Sequence, residues 1–85
     1  MYIVYAIKSL KVSRIYVGLS DNVARRLKEH NSGLVFSTKG YRPWALFYKE
    51  VYKTRTEARI REKQLKSGYG KEFLKEILHS GVAQR

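Results

Sequence analysis

Apolar and aromatic residues fall into three short β-branched runs and three segments with helical spacing, separated by turn-forming residues. Residues 2–8 are dense in β-branched and aromatic side chains and predict a strand. The polar stretch 9–13 is short enough to turn, and residues 14–19 supply a second strand, so the two make a hairpin. Ser20 or Asp21 can cap a helix running to about Ser32, where Gly33 offers a left-handed terminator. Residues 33–43 read as a loop with Ser37, Thr38, Lys39 and Gly40 at its tip, and residues 44–52 as a third strand. Thr54 and Glu57 form a T-x-x-E capping box that opens a second helix, ending at Gly68. Gly70 separates it from a third, from Lys71 to about Ser80, whose Phe73, Leu74, Ile77 and Leu78 share one face. Gly81 stops that helix, and the tail 81–85 is expected to fray. The order ββαβαα predicts one α+β domain over residues 1–85, its core at about 2–80: a small sheet with its apolar face covered by helices.

The pattern also places candidate chemistry. If residues 9–12 connect the hairpin, Lys8 pairs with Ser13 and Tyr5 falls opposite Tyr16; any connection of even length keeps both phenols on one face. Such a pair serves equally as an active-site wall or an ordinary cross-strand contact. Gly18 marks a point of close approach, because glycine weakens a strand unless something needs the space. On the first helix Val23 and Leu27 define the apolar side, Ala24 extends it, and Arg26 and His30 line its border. A guanidinium there can bind a phosphate through two hydrogen bonds or simply cover the core with its stem. On the second helix Ala58 and Leu65 mark the buried side, while Arg55, Arg59, Lys63 and Lys66 make a basic stripe. Glu62 lies between these sectors. It can hold a divalent cation that bridges to phosphate, or form an i,i+4 ion pair with Lys66.

Charge sharpens the choice of partner. The 85 residues carry 18 Lys and Arg against seven acids, a net charge of +11, which points to a polyanion, most commonly nucleic acid. A hydrophobic content of 44% argues against disorder. Without Cys there is no disulfide, thiolate metal site or thiol nucleophile, and the default setting is a reducing cytoplasm. No stretch approaches the roughly 18 apolar residues of a membrane span, and no leader pattern is present. Nor is there a glycine-rich phosphate loop, C-x-x-C, H-E-x-x-H or supported Ser–His–Asp set. His79 sits at a helix end, where a cation is simply favourable.

Ile3-Val4-Tyr5, then Tyr16-Val17-Gly18, then Arg26-Leu27-Lys28-Glu29-His30-Asn31 resemble the motifs of the GIY-YIG nuclease superfamily. Arg42-Pro43-Trp44 and the run Glu57-Ala58 to Lys66 resemble its small stand-alone bacterial branch, related to the N-terminal nuclease domain of the excision-repair nuclease. Ile3 replaces the first motif's glycine, and no Asn follows Asn31 to match one that some relatives use. The resemblance implies a three-stranded antiparallel sheet flanked by helices, carrying a phosphodiesterase site. It implies Tyr5 as general base, Tyr16 in the same site, Arg26 on the phosphate, His30 as an auxiliary group and Glu62 as ligand of one divalent ion, Mg²⁺ or Mn²⁺. The expected activity is metal-dependent endonucleolytic cleavage of DNA. A nucleic-acid-binding module of weak activity, or a protein that docks onto a partner through exposed Tyr41, Trp44 and Tyr69, are the alternatives. DNA is the expected partner, contacted by Lys39 and the Arg55, Arg59, Lys63, Lys66 stripe. A protein partner that supplies targeting is compatible, no membrane is expected, and the oligomeric state is left open. A phenol of pKa ~10 is a poor base near pH 7, so Arg26, the metal and the positive field are expected to lower that of Tyr5.

Overall fold

The structure, a computed structural model, describes residues 1–80; the expected frayed tail 81–85 lies outside the described residues. Three strands, β1 (Tyr2–Ser9), β2 (Ile15–Ser20) and β3 (Trp44–Tyr52), form one antiparallel sheet in the order β2-β1-β3. Three helices complete the α+β fold: α1 (Val23–Ser32), α2 (Arg55–Lys66) and α3 (Gly68–Ser80). The loop before β3 carries a single 3-10 turn at Lys39–Tyr41.

The central strand explains the architecture. Because β1 has helices on both sides, it reads as an almost unbroken apolar run. Val4 and Ala6 point into a core made with Val17, Phe47, Ala58, Leu65, Leu74 and Ile77, which α2 and α3 complete. Tyr5 and Ile7 point the other way, into a smaller cluster with Val23 and Trp44, flanked by Tyr16, Leu27 and Tyr41. Helices therefore cover both faces of the sheet, where the pattern predicts one. Ala24 is exposed and does not extend the apolar side of α1.

The hairpin register differs from the expected one. Lys8 pairs with Ile15, Ile7 with Tyr16 and Tyr5 with Gly18. The cause is local: the Ser9 hydroxyl accepts from the backbone N–H of Lys11 (3.0 Å) and Val12 (3.1 Å), and Ser9 N–H donates to Arg14 O (2.9 Å). These bonds stabilise a connection two residues longer than the short turn. A shift of two preserves the face, so Tyr5 and Tyr16 still share it.

The α1 cap also moves. Asn22 is the N-cap, accepting from Arg25 N–H, because the Ser20 hydroxyl is already engaged with the backbone of Asn22. At Gly33, φ is 87°, the left-handed terminator expected there. Thr54 caps α2 by accepting from Glu57 N–H at 3.2 Å. That helix ends at Lys66 with Ser67 as its cap, and α3 starts at Gly68, three residues earlier than predicted. Gly70 lies inside α3: a Cβ there would run into the Gln64 carbonyl and the Leu65 backbone, so this glycine permits a tight corner between the helices.

Candidate active site

The site grows out of the face that α1 covers. Tyr5 is 1% exposed, and its ring crosses to the neighbouring strand above Gly18. A Cβ at Gly18 would lie 2.5 Å from the Tyr5 hydroxyl, so only glycine leaves room for the phenol at this point. The Tyr5 hydroxyl meets His30 Nε2 at 2.8 Å, and His30 Nδ1 meets Thr38 Oγ1 at 2.8 Å. The Thr38 hydroxyl donates to Val35 O at 3.3 Å. It therefore accepts from His30 Nδ1–H, which leaves Nε2 as a lone pair facing the Tyr5 O–H. Phenol, imidazole and hydroxyl form one directed chain, and every member is buried.

Burial sets the ionisation of this chain. It pushes the Tyr5 phenol up to about 12; Tyr16 and Glu62 add to the rise, and the Arg26 guanidinium draws it only partly back. This corrects the expectation that positive charge would depress it: desolvation of a phenolate on a dry sheet face outweighs one neighbouring cation. Burial and the nearby Arg26 hold His30 below its ordinary value, so it is neutral near pH 7. Tyr16 stacks edge-on against His30 with ring centroids 4.9 Å apart, and lies 6.5 Å from Tyr5 and from Trp44.

Arg26 is half-buried at the rim, its Nη1 2.8 Å from Glu29 Oε1, a bond that raises its own pKa further. With Arg25, Arg55, Glu29, Tyr2 and Ser20 it lines a hollow of about 310 Å³ at the Tyr2 end of the sheet. Glu62 has a side chain only 14% exposed, and its Oε2 lies 3.2 Å from Lys66 Nζ. The ion pair anticipated as the bland role of Glu62 is thus present, while its charge is also felt at the Tyr5 phenol. Among the described residues no group of three or more His, Asp or Glu side chains could hold a metal.

The predicted nucleic-acid residues divide. Arg55 joins the hollow beside Arg26, and Arg59 and Lys63 are exposed on α2. Lys66 is drawn to Glu62, and Lys39 lies on the loop with its ammonium 5.7 Å from the Phe36 ring. Of the three aromatics expected to be exposed, Trp44 is core: it is 3% exposed and its Nε1 donates to Thr38 O at 2.9 Å. Tyr41 is half-buried beneath the Arg14 guanidinium, and Tyr69 is exposed.

Two contributors escape a reading of the sequence. Thr38 looks like one more polar residue of a loop tip, and nothing in its local pattern signals a buried partner for His30. Asn31 stands in the motif without a role; its side chain donates to Trp44 O (3.0 Å) and accepts from Trp44 N–H (2.6 Å). It pins the start of β3 to α1, and with it the loop that carries Thr38.

Comparison with known proteins agrees with this layout. The sequence model of the GIY-YIG catalytic domain matches residues 1–75. A UPF0213 protein of Staphylococcus haemolyticus is 36% identical over 75 residues, covering 87% of this chain and 90% of that one. A UPF0213 protein of Desulfotalea psychrophila is 41% identical over 54 residues, 61% of this chain; the match spans about half (49%) of that relative's length. The solution NMR structure of a UPF0213 protein from Bacillus halodurans superposes with a TM-score of 0.54 at 29% identity, covering 89% of this chain and 83% of that one. Among the described residues no helix is long and apolar enough to cross a membrane. A buried phenol seated on the glycine of the opposite strand, on a fold of this topology and with a domain match this long, places the chain in the GIY-YIG catalytic domain family, a family of nucleases.

Proposed function

We propose that this protein is a metal-dependent endonuclease that hydrolyses phosphodiester bonds of DNA in the cytoplasm. The observation that carries the reading is the directed chain from Tyr5 through neutral His30 to Thr38, with Arg26 at its rim. Burial raises the Tyr5 phenol and lowers the His30 imidazole, so complete proton transfer between them at rest is unfavourable. Tyr5 therefore acts as a relay and not as a standing phenolate. An attacking water gives a proton to Tyr5 Oη as the Tyr5 O–H passes its own to His30 Nε2. The new O–P bond forms while the bond to the leaving oxygen breaks, and solvent protonates the leaving oxygen. The proton held by His30 then returns through Tyr5 Oη to solvent, restoring the resting chain. Arg26 exchanges Glu29 for a phosphate oxygen and steadies the charge that develops there. Tyr16 braces the imidazole by edge contact and keeps Nε2 aimed at the phenol.

Nucleases of this family generally use divalent ions. The residues present fit such an ion in one way: Glu62 supplies a single hard carboxylate, which suits Mg²⁺ or Mn²⁺ that keeps water and takes phosphate oxygens. When bound, the ion supplies Lewis-acid stabilisation of the phosphate charge. Arg55, Arg59, Lys63 and Lys39 are the proposed DNA contacts, with Lys66 divided between DNA and Glu62.

A binding module of weak activity is the second reading, favoured by the Glu62–Lys66 pair and the high pKa of Tyr5. Glu62→Gln separates the two. Cleavage lost on Mg²⁺ titration, with DNA binding kept or tightened, supports the ligand role, because a negative charge leaves a phosphate-facing surface. Unchanged cleavage, with about 0.2–0.5 kcal/mol of helix stability lost, leaves Glu62 as an ion-pair partner only.

A further inference from the structure

A cavity of about 770 Å³ lies away from the candidate active site, at the opposite end of the β1–β2 hairpin. Lys8 lines it from the end of β1, Arg14 from the hairpin connection, and Lys71, Lys75 and His79 from α3. Among the described residues no carboxylate lines it. Opposite charge is the evident requirement of its occupant.

The arrangement of the cations says which anion. Lys71, Lys75 and His79 recur every fourth residue, a row rising about 6 Å per step along the helix, comparable to the step between neighbouring phosphates of a nucleic acid strand. Donors for one small anion would converge on a point; these are strung along a line. Arg14 is held in place with its guanidinium 4.3 Å from the Tyr41 ring centroid, and Lys75 makes only a long 3.8 Å contact with exposed Glu72.

The position of the cleft points the same way. The hollow of Arg25, Arg26 and Arg55, which Asp21 and Glu29 also line, borders Tyr2 and Ser20, whereas the cleft borders Lys8 and Ile15. Those two ends of β1 are about 20 Å apart at a strand's rise per residue, and Tyr5, paired with Gly18, lies midway along the strand, on the face that α1 covers. We propose that the cleft is a second backbone-phosphate site, so that one DNA duplex running along the β1–β2 hairpin contacts both of its ends. This rests on the nuclease reading and adds a footprint to it: about six base pairs at ~3.4 Å each.

The test uses the full chain, a 20-base-pair duplex and binding measured from 50 to 200 mM salt in EDTA. Lys71→Gln/Lys75→Gln changes two exposed residues, and its thermal midpoint should stay at the unmodified value. Its log–log salt slope should be shallower by about 1.8, two contacts at roughly 0.9 each. Arg55→Gln/Arg59→Gln should show a comparable fall, and titration of the unmodified protein should give one duplex per protein. An unchanged slope and affinity in the α3 variant, with the α2 variant weakened, overturns the cleft's role and leaves the nuclease reading standing. Two duplexes per protein overturns the shared footprint. An unmodified protein whose affinity ignores salt overturns DNA binding itself, and the cleft with it.

Discussion

The two faces of this sheet are built from alternate residues of one strand, yet they do different physical work. On the α2–α3 side, Val4 and Ala6 meet apolar side chains, and a polar cluster around Glu50 at its edge is closed on itself. There Glu50 is gripped by Arg61 at 2.9 Å and by the Tyr48 and Tyr52 hydroxyls. Burial pushes the Glu50 carboxyl up, but these three partners outweigh it and hold it below its usual range. On the α1 side, Tyr5 enters a chain of neutral groups, and the one cation that acts on its phenol, Arg26, stands at the rim and is paired with Glu29. A charged network with every partner inside is a brace; a neutral chain of donors and acceptors can pass a proton along its length. The faces should therefore respond to mutation in different observables.

The largest stability effect belongs to the α2–α3 side. Leu74 is completely buried, and Leu74→Ala should cost about 2–5 kcal/mol in urea unfolding. Cleavage per folded molecule should be retained. A variant that keeps its stability but loses activity would erase the distinction between the faces.

Gly18→Ala probes the boundary. Its Cβ must displace the Tyr5 hydroxyl, so stability should drop by about 1–3 kcal/mol, and cleavage should fall by more than the folded fraction does. Normal cleavage at equal folded fraction would mean that the seat of the phenol is irrelevant to the chemistry.

The smallest effect is the pH dependence that His30 contributes on the α1 side. His30 has a depressed pKa in the folded state, so the unfolded chain takes up its proton first as pH falls. Its contribution is fully present above the unfolded value of about 6.5 and is lost as pH drops through the folded value. Urea midpoints from pH 7.5 to 5 should therefore fall more steeply for the unmodified protein than for His30→Asn. Parallel slopes would remove His30 from the titration.

Much of this architecture is legible in the chain, and the misses share a cause. The sequence predicts β3 at residues 44–52 and the structure has it at Trp44–Tyr52, because aromatic and β-branched density is a local property. Alternation places Tyr5 and Tyr16 on one face, since parity survives any even change of connection. The register does not follow, because it depends on which backbone groups the Ser9 hydroxyl captures. Thr38 is invisible for the same kind of reason: its partner His30 is eight residues away and meets it only once Trp44 and Asn31 have pinned the loop. The Tyr5 pKa moves against expectation because the sequence displays 18 cations but not the desolvation of a ring buried beneath a helix. Charge can be counted in a sequence; burial has to be folded.

The central claim is that the Tyr5 hydroxyl handles the proton of the reaction. Tyr5→Phe tests it most directly, because only the oxygen is removed while the ring still fills its place above Gly18. Losing the bond to His30 should cost about 1–3 kcal/mol of stability, so cleavage is compared per folded molecule on a labelled DNA duplex with Mg²⁺. The account predicts a fall of roughly 10²–10⁴ in the rate of cleavage, with DNA affinity unchanged. Cleavage by folded Tyr5→Phe at the unmodified rate would contradict it.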